Sequence, residues 1–383
     1  METENKIHSL DVSWILKLSI TVLALILTLR FTGPLSDAVS KSSESILRGS
    51  LLSDFSYGDA AYGDTEEKRE TESESESATE VNNINDESDI KEKTEAYSTP
   101  SDVLKMEEEY IAAFSKGTAA GTVEEVFFRA SGSTDSVDGI YIKNTTATKK
   151  PDFSTLIDEG PSLTVKDKSE PTVLIFHTHT TESYLLSDTG KFYEGYETRS
   201  FDSSQNMVRV GEEICKVLEA NGIGYIHDEN IYDESYNGAY SRSRVTVEEY
   251  LEKYPTIKIV LDVHRDAIYY SDTSHCKPTA EINGRKAAQI MIITGAEEGY
   301  ISDFPNWEEN LKFALCIQKT AEEKFPGLMK PLYFCQRKYN MDTSLCSVLL
   351  EIGTDANTLD EALYSAHMTG EVLSDIINES VGE

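Results

Sequence analysis

The sequence predicts an α/β domain with a mostly parallel sheet that helices flank on both faces, preceded by a membrane anchor and a disordered tether. Three observations lead to this prediction. Apolar runs of strand length alternate with segments of helical periodicity from about residue 139 onward. These runs are continuously apolar, which is typical of parallel strands buried on both faces. The chain before residue 136 differs, because one strongly apolar segment is followed by an acidic and polar one.

The apolar segment near the N-terminus extends from Trp14 to Leu29 and reads WILKLSITVLALILTL. Its composition favours an uncleaved signal anchor, in which Lys17 reaches toward the lipid headgroups. A cleaved signal peptide is the alternative, but the residues from Arg30 to Pro34 make a poor cleavage site. Flanking lysines and arginines do not fix the orientation. We expect residues 1–34 to form a cytoplasmic stub and a transmembrane anchor.

Residues 35–135 are expected to form an acidic, Ser/Glu-rich disordered tether. Between Asp64 and Glu95 there are 13 acidic and 4 basic residues and almost no large apolar side chains. Such a stretch cannot bury enough surface to offset the entropy lost on ordering. The spacing of Val103, Met106 and Tyr110 predicts one short helix near its end.

Charge and cysteine content exclude several kinds of function. The formal net charge of -33 repels nucleic acid, and no basic stripe offsets it. The five cysteines form no CxxC pair, and an odd, irregularly spaced set predicts neither a disulfide framework nor a cysteine zinc site. We expect them to be buried thiols.

Residues 136–383 are expected to form the catalytic domain. Continuous apolar or β-branched runs predict strands at residues 139–144, 172–176, 224–226, 257–263, 288–294 and 348–352. Apolar residues at helical spacing predict helices over residues 207–221, 245–254, 307–325 and 359–377.

Polar side chains that suit metal chemistry follow or end three of these strands. They are His177, His179 and Glu182 after residues 172–176, His264 to Asp266 after residues 257–263, and Glu351 within residues 348–352. In open parallel sheets such ends meet in one crevice. Catalytic zinc takes three protein ligands and a water, and a further carboxylate must move the proton of that water.

We assign His177, Glu182 and His264 as zinc ligands and Glu351 as the general base. His179 is either a second ligand of this turn or a helper. Asp262, two residues before His264, is placed to orient the imidazole of that histidine. The alternative interpretation of Glu351 is a buried salt bridge with an arginine.

Other polar residues are weaker candidates for contacts with the substrate. Solvated surface arginine is the alternative interpretation for each arginine. The substrate-binding candidates are Arg199, Asn206, Arg242, Arg244, Arg265, Asp266 and Asn340.

Many strings of this chain, in order over residues 139–380, resemble the stage II sporulation protein P family. They include VLIFHTHTTESY, NMVRVGEEICKVLEANGI, HDENIYDESYNGAYSRS, IKIVLDVHRDAI and LLEIGTDANTLDEA. The resemblance implies metal and catalytic roles for His177, His264 and Glu351. It leaves Glu194 and Glu197 as alternatives to Glu182 for the carboxylate ligand. One departure is Met341 after Tyr339 and Asn340, where the resemblance implies a glutamine.

The same resemblance implies a fold similar to the zinc-dependent N-acetylmuramoyl-L-alanine amidases. It implies a Zn²⁺ enzyme with amidase and endopeptidase activity on peptidoglycan, acting in engulfment during endospore formation. It also implies a single-pass cell-membrane protein whose catalytic domain lies outside the cytoplasm, between the mother-cell and forespore membranes, with stage II sporulation proteins D and M as partners. Two alternatives remain open, namely a wall-binding scaffold without activity and a zinc peptidase or deacetylase.

Overall fold

A computed structural model describes residues 97–130 and 134–382 of the 383-residue chain. The predicted anchor at residues 1–34 and most of the predicted tether lie outside these residues. Within the described ranges, no helix is long and apolar enough to cross a membrane.

Six helices and thirteen strands order the described chain. The helices are α1 Ser101–Phe114, α2 Phe153–Glu159, α3 Met207–Ala220, α4 Ala239–Lys253, α5 Trp307–Lys324 and α6 Leu359–Glu379, with a 3-10 helix at Met341–Thr343. The strands are β1 Ala119–Val126, β2 Asp135–Val137, β3 Ile140–Asn144, β4 Pro171–Phe176, β5 Lys191–Tyr193, β6 Gly224–His227, β7 Ile259–Asp266, β8 Tyr269–Ser271, β9 Ser274–Ile282, β10 Arg285–Ala288, β11 Ile290–Gly295, β12 Leu332–Cys335 and β13 Cys346–Thr354.

The main sheet has eight strands in the order β2-β3-β12-β11-β13-β7-β4-β6. Its central strands are apolar on both faces, as the continuous runs predict. On β4, Leu174 and Phe176 pack against Val247 of α4, while Val173 and Ile175 face the larger core that includes α3, α5 and α6. Helices therefore cover both faces of the sheet, and burial of these runs supplies the main driving force for the fold.

The prediction of a mostly parallel sheet is wrong, because the sheets are mixed. β6, β4, β7 and β13 run parallel to one another, but β11 is antiparallel to β13. The physical reason is the connection that precedes β11. Parallel strands are usually joined by a helical crossover, whereas the chain between β7 and β11 contains no helix and forms the antiparallel pairs β8–β9 and β9–β10. Asn283 and Gly284, both with positive φ, form the two-residue turn between β9 and β10, and Asn-Gly is a strong sequence signal for such a turn.

A second sheet has the order β10-β9-β1-β5, with β8 paired to β9. Strand β1 lies inside this sheet, parallel to β9 and antiparallel to β5. Helix α1, which precedes it, buries Val103 and Tyr110. The predicted domain boundary at residue 136 therefore falls within the folded unit, and the predicted short helix is part of that unit. Its apolar side chains are buried by packing that a local composition analysis does not detect.

Tyr110 is the main contact of α1 with the rest of the fold. Its side chain is 3 % exposed, and its ring centroid lies 4.9 Å from that of Tyr196 in an edge-on arrangement. We predict that Tyr110→Ala lowers the free energy of unfolding by about 3 kcal/mol, since it leaves a cavity the size of an aromatic ring. Urea denaturation measures this change.

The control is Leu104→Ala on the same helix. Leu104 is 47 % exposed, so its replacement should change stability by less than about 0.5 kcal/mol. Equal effects of the two substitutions would show that α1 does not pack on the domain in solution.

Candidate active site

The carboxyl ends of β4, β7 and β13 lie side by side and bring the sequence-predicted residues together. In the register of these parallel strands, Phe176 pairs with Asp262 and Glu351 pairs with His264. Glu351 and His264 therefore project from the same face of the sheet, the face that α4 covers.

The turn after β4 is fixed by its three threonines. Thr178 donates to both oxygens of Asp262, from its backbone nitrogen at 2.8 Å and from its hydroxyl at 2.7 Å. The hydroxyl of Thr180 donates to the carbonyl of His177 at 2.7 Å. Thr181 donates its hydroxyl to Asp233 Oδ2 at 2.6 Å. These bonds determine where the two histidines of the turn point.

His177 is fully buried, and both of its ring nitrogens have partners. Nδ1 lies 2.9 Å from the carbonyl oxygen of Val263, and Nε2 lies 2.9 Å from Nε2 of His227. Because a carbonyl only accepts, Nδ1 carries the proton in the neutral ring and Nε2 accepts from His227. Burial, followed by the proximity of His227, lowers the pKa of His177 well below its usual range. Both ring nitrogens of the assigned ligand His177 are therefore engaged by protein groups.

His227 is a residue that the sequence interpretation missed. It lies at the end of β6, and its pairing with His177 takes place against the backbone of α3. A Cβ atom on Gly211 would lie 2.4 Å from Nε2 of His227 and 2.7 Å from Nε2 of His177. A glycine inside a helix is unfavourable, so this close approach explains its presence.

His179 points toward the opposite side of the turn. Its ring stacks on Tyr236 at 4.5 Å between centroids and meets the ring of His264 edge-on at 5.2 Å. Nδ1 of His179 is buried without a hydrogen-bond partner. Burial lowers the pKa of His179 to about 4, so the imidazole is neutral at pH 7 and keeps a lone pair for a ligand.

Glu182 and His264 face each other in the same crevice. Glu182 Oε2 lies 3.4 Å from His264 Nδ1 and accepts from the backbone nitrogen of Arg265 at 3.3 Å. Burial alone would raise the pKa of Glu182, but the hydrogen bond with His264 and the charge of Arg265 lower it well below its usual range. The alternative carboxylates Glu194 and Glu197 are exposed.

Asp262 lies beside the other nitrogen of His264. Asp262 Oδ1 and His264 Nε2 are 2.7 Å apart, out of line for a hydrogen bond, so this nitrogen has no hydrogen-bond partner. Burial alone lowers the pKa of His264, yet the carboxylates of Asp262 and Glu182 raise it well above the usual value. The orienting role that its spacing predicts for Asp262 stays a prediction.

Glu351 completes the crevice. Its Oε2 atom is buried and lacks a hydrogen-bond partner. Burial, and then the negative charge of Asp266, raise the pKa of Glu351 to about 8. Lys330 lies nearby, but its ammonium pairs with Asp266 at 3.1 Å. A carboxyl group with a pKa near neutrality is suited to moving protons.

Most of the weaker candidates hold the surrounding loops. Arg265 donates to the carbonyls of Ser183 and Thr198, and Arg244 forms a bidentate pair with Asp342. Asn206 caps α3, and Arg242 bonds the carbonyl of Tyr232 at 2.8 Å.

Arg199 differs from these candidates because its side chain is 42 % exposed. It pairs with Asp233 at 2.8 Å and with Glu182 at 3.4 Å. Its guanidinium also lies over the ring of Tyr236. Arg199 therefore lies at the rim of the crevice, with part of its surface open to solvent.

No three histidine, cysteine, aspartate or glutamate side chains of residues 97–130 and 134–382 are arranged closely enough to hold a metal ion. The donor types nevertheless fit zinc, since His179, Glu182 and His264 supply two imidazoles and a carboxylate around one crevice. The buried, unpartnered Nδ1 of His179 agrees with a missing ligand. On His264 the nitrogen that faces Glu182 is Nδ1, since Nε2 lies against Asp262.

Residues 47–375 match the stage II sporulation protein P family. The chain belongs to this family. It is 30% identical over 243 residues to stage II sporulation protein P of Bacillus subtilis (strain 168), a match that covers 59% of this chain and 57% of that protein. The match thus spans little more than half the length of this relative.

Two solved amidase structures are similar to this chain at low identity. The CwlD amidase of Clostridioides difficile, in complex with the GerS lipoprotein, is 15% identical, with 53% of this chain and 99% of that chain covered and a TM-score of 0.33. The N-acetylmuramoyl-L-alanine amidase of Clostridium difficile 630 is 14% identical, with coverages of 56% and 100% and a TM-score of 0.32. At these values the similarity carries no argument about activity.

The packing of His177 and His227 against α3 leaves no space for a side chain at position 211. We predict that Gly211→Ala lowers the free energy of unfolding by about 1–3 kcal/mol, because the added methyl group overlaps both imidazoles. Alanine alone would favour a helix by about 1 kcal/mol, so the sign of the change is diagnostic. Urea denaturation measures it.

Removing the obstructing ring provides the control. His227→Ala in the Gly211→Ala background should recover part of the loss, since the methyl group then overlaps only the ring of His177. If Gly211→Ala is more stable than the wild type, α3 does not pack against these histidines.

Proposed function

We propose that this chain is a zinc-dependent peptidoglycan hydrolase of sporulation that cleaves the amide between the muramoyl lactyl group and the first alanine of the stem peptide. The observation that carries the proposal is the convergence of His179, Glu182 and His264 beside Glu351, whose pKa is raised to about 8. Membership of the stage II sporulation protein P family supports the cell-wall substrate.

In this proposal His179, Glu182 and His264 hold the metal ion. His179 replaces His177 as the ligand from the turn, since the nitrogens of His177 are engaged by Val263 and His227. When bound, zinc polarises the amide carbonyl and lowers the pKa of a coordinated water. Asp262 holds the imidazole of His264 in orientation.

Glu351 carries the proton in the reaction. It accepts a proton from the attacking water, whose oxygen adds to the acyl carbon. As the C–N bond breaks, Glu351 gives this proton to the leaving amine nitrogen, so that a free carboxyl group and a free amine result. Its raised pKa suits both halves of this transfer. Arg199 and the ring of Tyr236 form the rim, where a stem-peptide carboxylate would bind the guanidinium.

Cleavage of peptide cross-links, action outside the membrane during engulfment, the N-terminal anchor, and stage II sporulation proteins D and M as partners belong to the same proposal. Their support is the family membership and the apolar segment at residues 14–29. A wall-binding scaffold would bind no stoichiometric zinc. A zinc peptidase or deacetylase would release different fragments from purified peptidoglycan, and mass spectrometry separates these products.

The ligand assignment predicts different effects for the two histidines of the turn. His179→Gln should lose stoichiometric zinc, because it removes the unpartnered imidazole beside Glu182 and His264. His177→Gln should retain zinc. Elemental analysis of the purified proteins measures the content, with circular dichroism as a check on folding. Loss of zinc from His177→Gln alone would restore His177 as the ligand.

The role of Glu351 makes a second prediction. Glu351→Gln should keep its zinc and lose hydrolysis of purified peptidoglycan by about 100-fold or more, because the amide cannot accept the proton. Release of soluble fragments, identified by mass spectrometry, measures the loss. Wild-type rates in a folded, zinc-loaded Glu351→Gln variant would refute the assignment of the base.

A further inference from the structure

A connected series of buried side chains leads from the turn before β13 to His264. Asn340 donates from its amide to Ser243 Oγ at 3.2 Å, and Ser243 Oγ lies 2.8 Å from Thr178 Oγ1. The hydroxyl of Thr178 donates to Asp262 Oδ2 at 2.7 Å. The other oxygen of Asp262 lies 2.7 Å from His264 Nε2, an ion-pair contact out of line for a hydrogen bond. We call Asn340, Ser243 and Thr178 the relay.

The chemistry of its two ends fixes the direction of the relay. An amide NH₂ group only donates, and a carboxylate only accepts. The hydroxyl of Thr178 donates its single proton to Asp262 Oδ2. Its oxygen can therefore only accept from Ser243 Oγ. Ser243 Oγ lies 2.8 Å from Thr178 Oγ1 and 3.3 Å from the carbonyl oxygen of Tyr240. The shorter distance favours donation to Thr178, while Ser243 accepts from Asn340. Every hydroxyl in the series then has one donated and one accepted bond, and such a series is ordered and cooperative.

The residues of the relay are buried, and the backbone at Asn340 adopts an unfavourable conformation that the relay contacts help to hold. Ser243 and Thr178 are fully buried, and Asp262 and Asn340 are nearly so. Tyr339 and Asn340 both have positive φ, at 41° and 61°. Two consecutive residues without glycine in the left-handed region are unfavourable and persist only where surrounding contacts enforce them. Here that conformation delivers the amide of Asn340 to Ser243 and to the carbonyl of Tyr240.

We propose that Asn340 and Ser243 are positioning residues, which act through Thr178 and Asp262 to hold His264 in its metal-binding orientation. This inference rests on the proposed function. Neither residue contacts the metal or the substrate in this scheme. Partners that orient a metal-binding histidine typically change metal affinity by 10-fold to 100-fold, so the relay should be visible in zinc binding itself.

The test compares zinc affinity, by competition with a chromogenic chelator, in the full chain and its variants. Ser243→Ala should bind zinc about 10-fold more weakly than the wild type, and excess zinc should restore its hydrolysis of peptidoglycan. The matched control is Ser374→Ala, since Ser374 is also a buried serine of a helix, bonded at 2.7 Å to the carbonyl of Gly370 on α6. Its zinc affinity should equal that of the wild type.

A double-mutant cycle tests whether Ser243 acts through Thr178. Thr178→Val removes the linking hydroxyl with little change of shape, and adding Ser243→Ala to it should lower zinc affinity no further. If Ser243→Ala does not fold, the zinc affinity of Asn340→Asp is measured in its place. A carboxylate at position 340 can only accept from Ser243, which reverses the direction of the relay and should weaken zinc binding.

Two outcomes overturn the inference in distinguishable ways. If the wild type binds no stoichiometric zinc, the proposed function fails and the relay fails with it. If the wild type binds zinc but Ser243→Ala and Ser374→Ala match it, or if the losses from Ser243→Ala and Thr178→Val add, the relay alone is refuted.

Discussion

The site depends on the buried turn from His177 to Glu182. All residues of this turn carry polar side chains, and all are buried, which is costly unless each finds a partner. The carboxylates of Asp262 and Asp233 accept hydrogen bonds from Thr178 and Thr181 and so fix the path of the chain. That path directs one histidine toward α3 and the other, together with Glu182, toward the crevice. The chemistry of the crevice follows from the backbone of this turn.

Charge balance around the turn explains why one carboxyl group stays available. Glu182 lies among His264, Arg265 and Arg199, and its pKa is lowered. Asp266 pairs with Lys330. Glu351 is buried in the same crevice, but its Oε2 atom has no hydrogen-bond partner, and its pKa rises to about 8. The crevice therefore separates Glu182, which stays ionised, from Glu351, which exchanges a proton near neutral pH, and acid–base catalysis needs such a division of roles.

The strand ends and most of the site residues follow from sequence patterns, because continuous apolar runs fix the strands and polar residues just after them stand out. Sequence patterns do not show which of His177 and His179 faces the crevice. This depends on the path of the turn, whose hydrogen-bond partners Asp233 and Asp262 lie 50 or more residues away in the chain. The pairing of His177 with His227 is equally non-local. The place of β1 inside a sheet does not follow from sequence patterns, because its residues AAGTVEEV are mostly small or charged and none of them is buried. The Asn283-Gly284 dipeptide predicts the β9–β10 hairpin that precedes β11, but the pairing of β11 with β13 is again non-local.

The antiparallel direction of β11 brings residues that are distant in sequence from the histidines close to the crevice. Because β11 and β12 run opposite to β7 and β13, their amino ends lie at the edge where the other strands have their carboxyl ends. The turn between α5 and β12 thus reaches this edge and places Lys330 against Asp266. Substitutions in that turn, far along the chain from every histidine of the crevice, alter the electrostatic surroundings of Glu351. Residues that do not line the crevice therefore influence the pKa of Glu351.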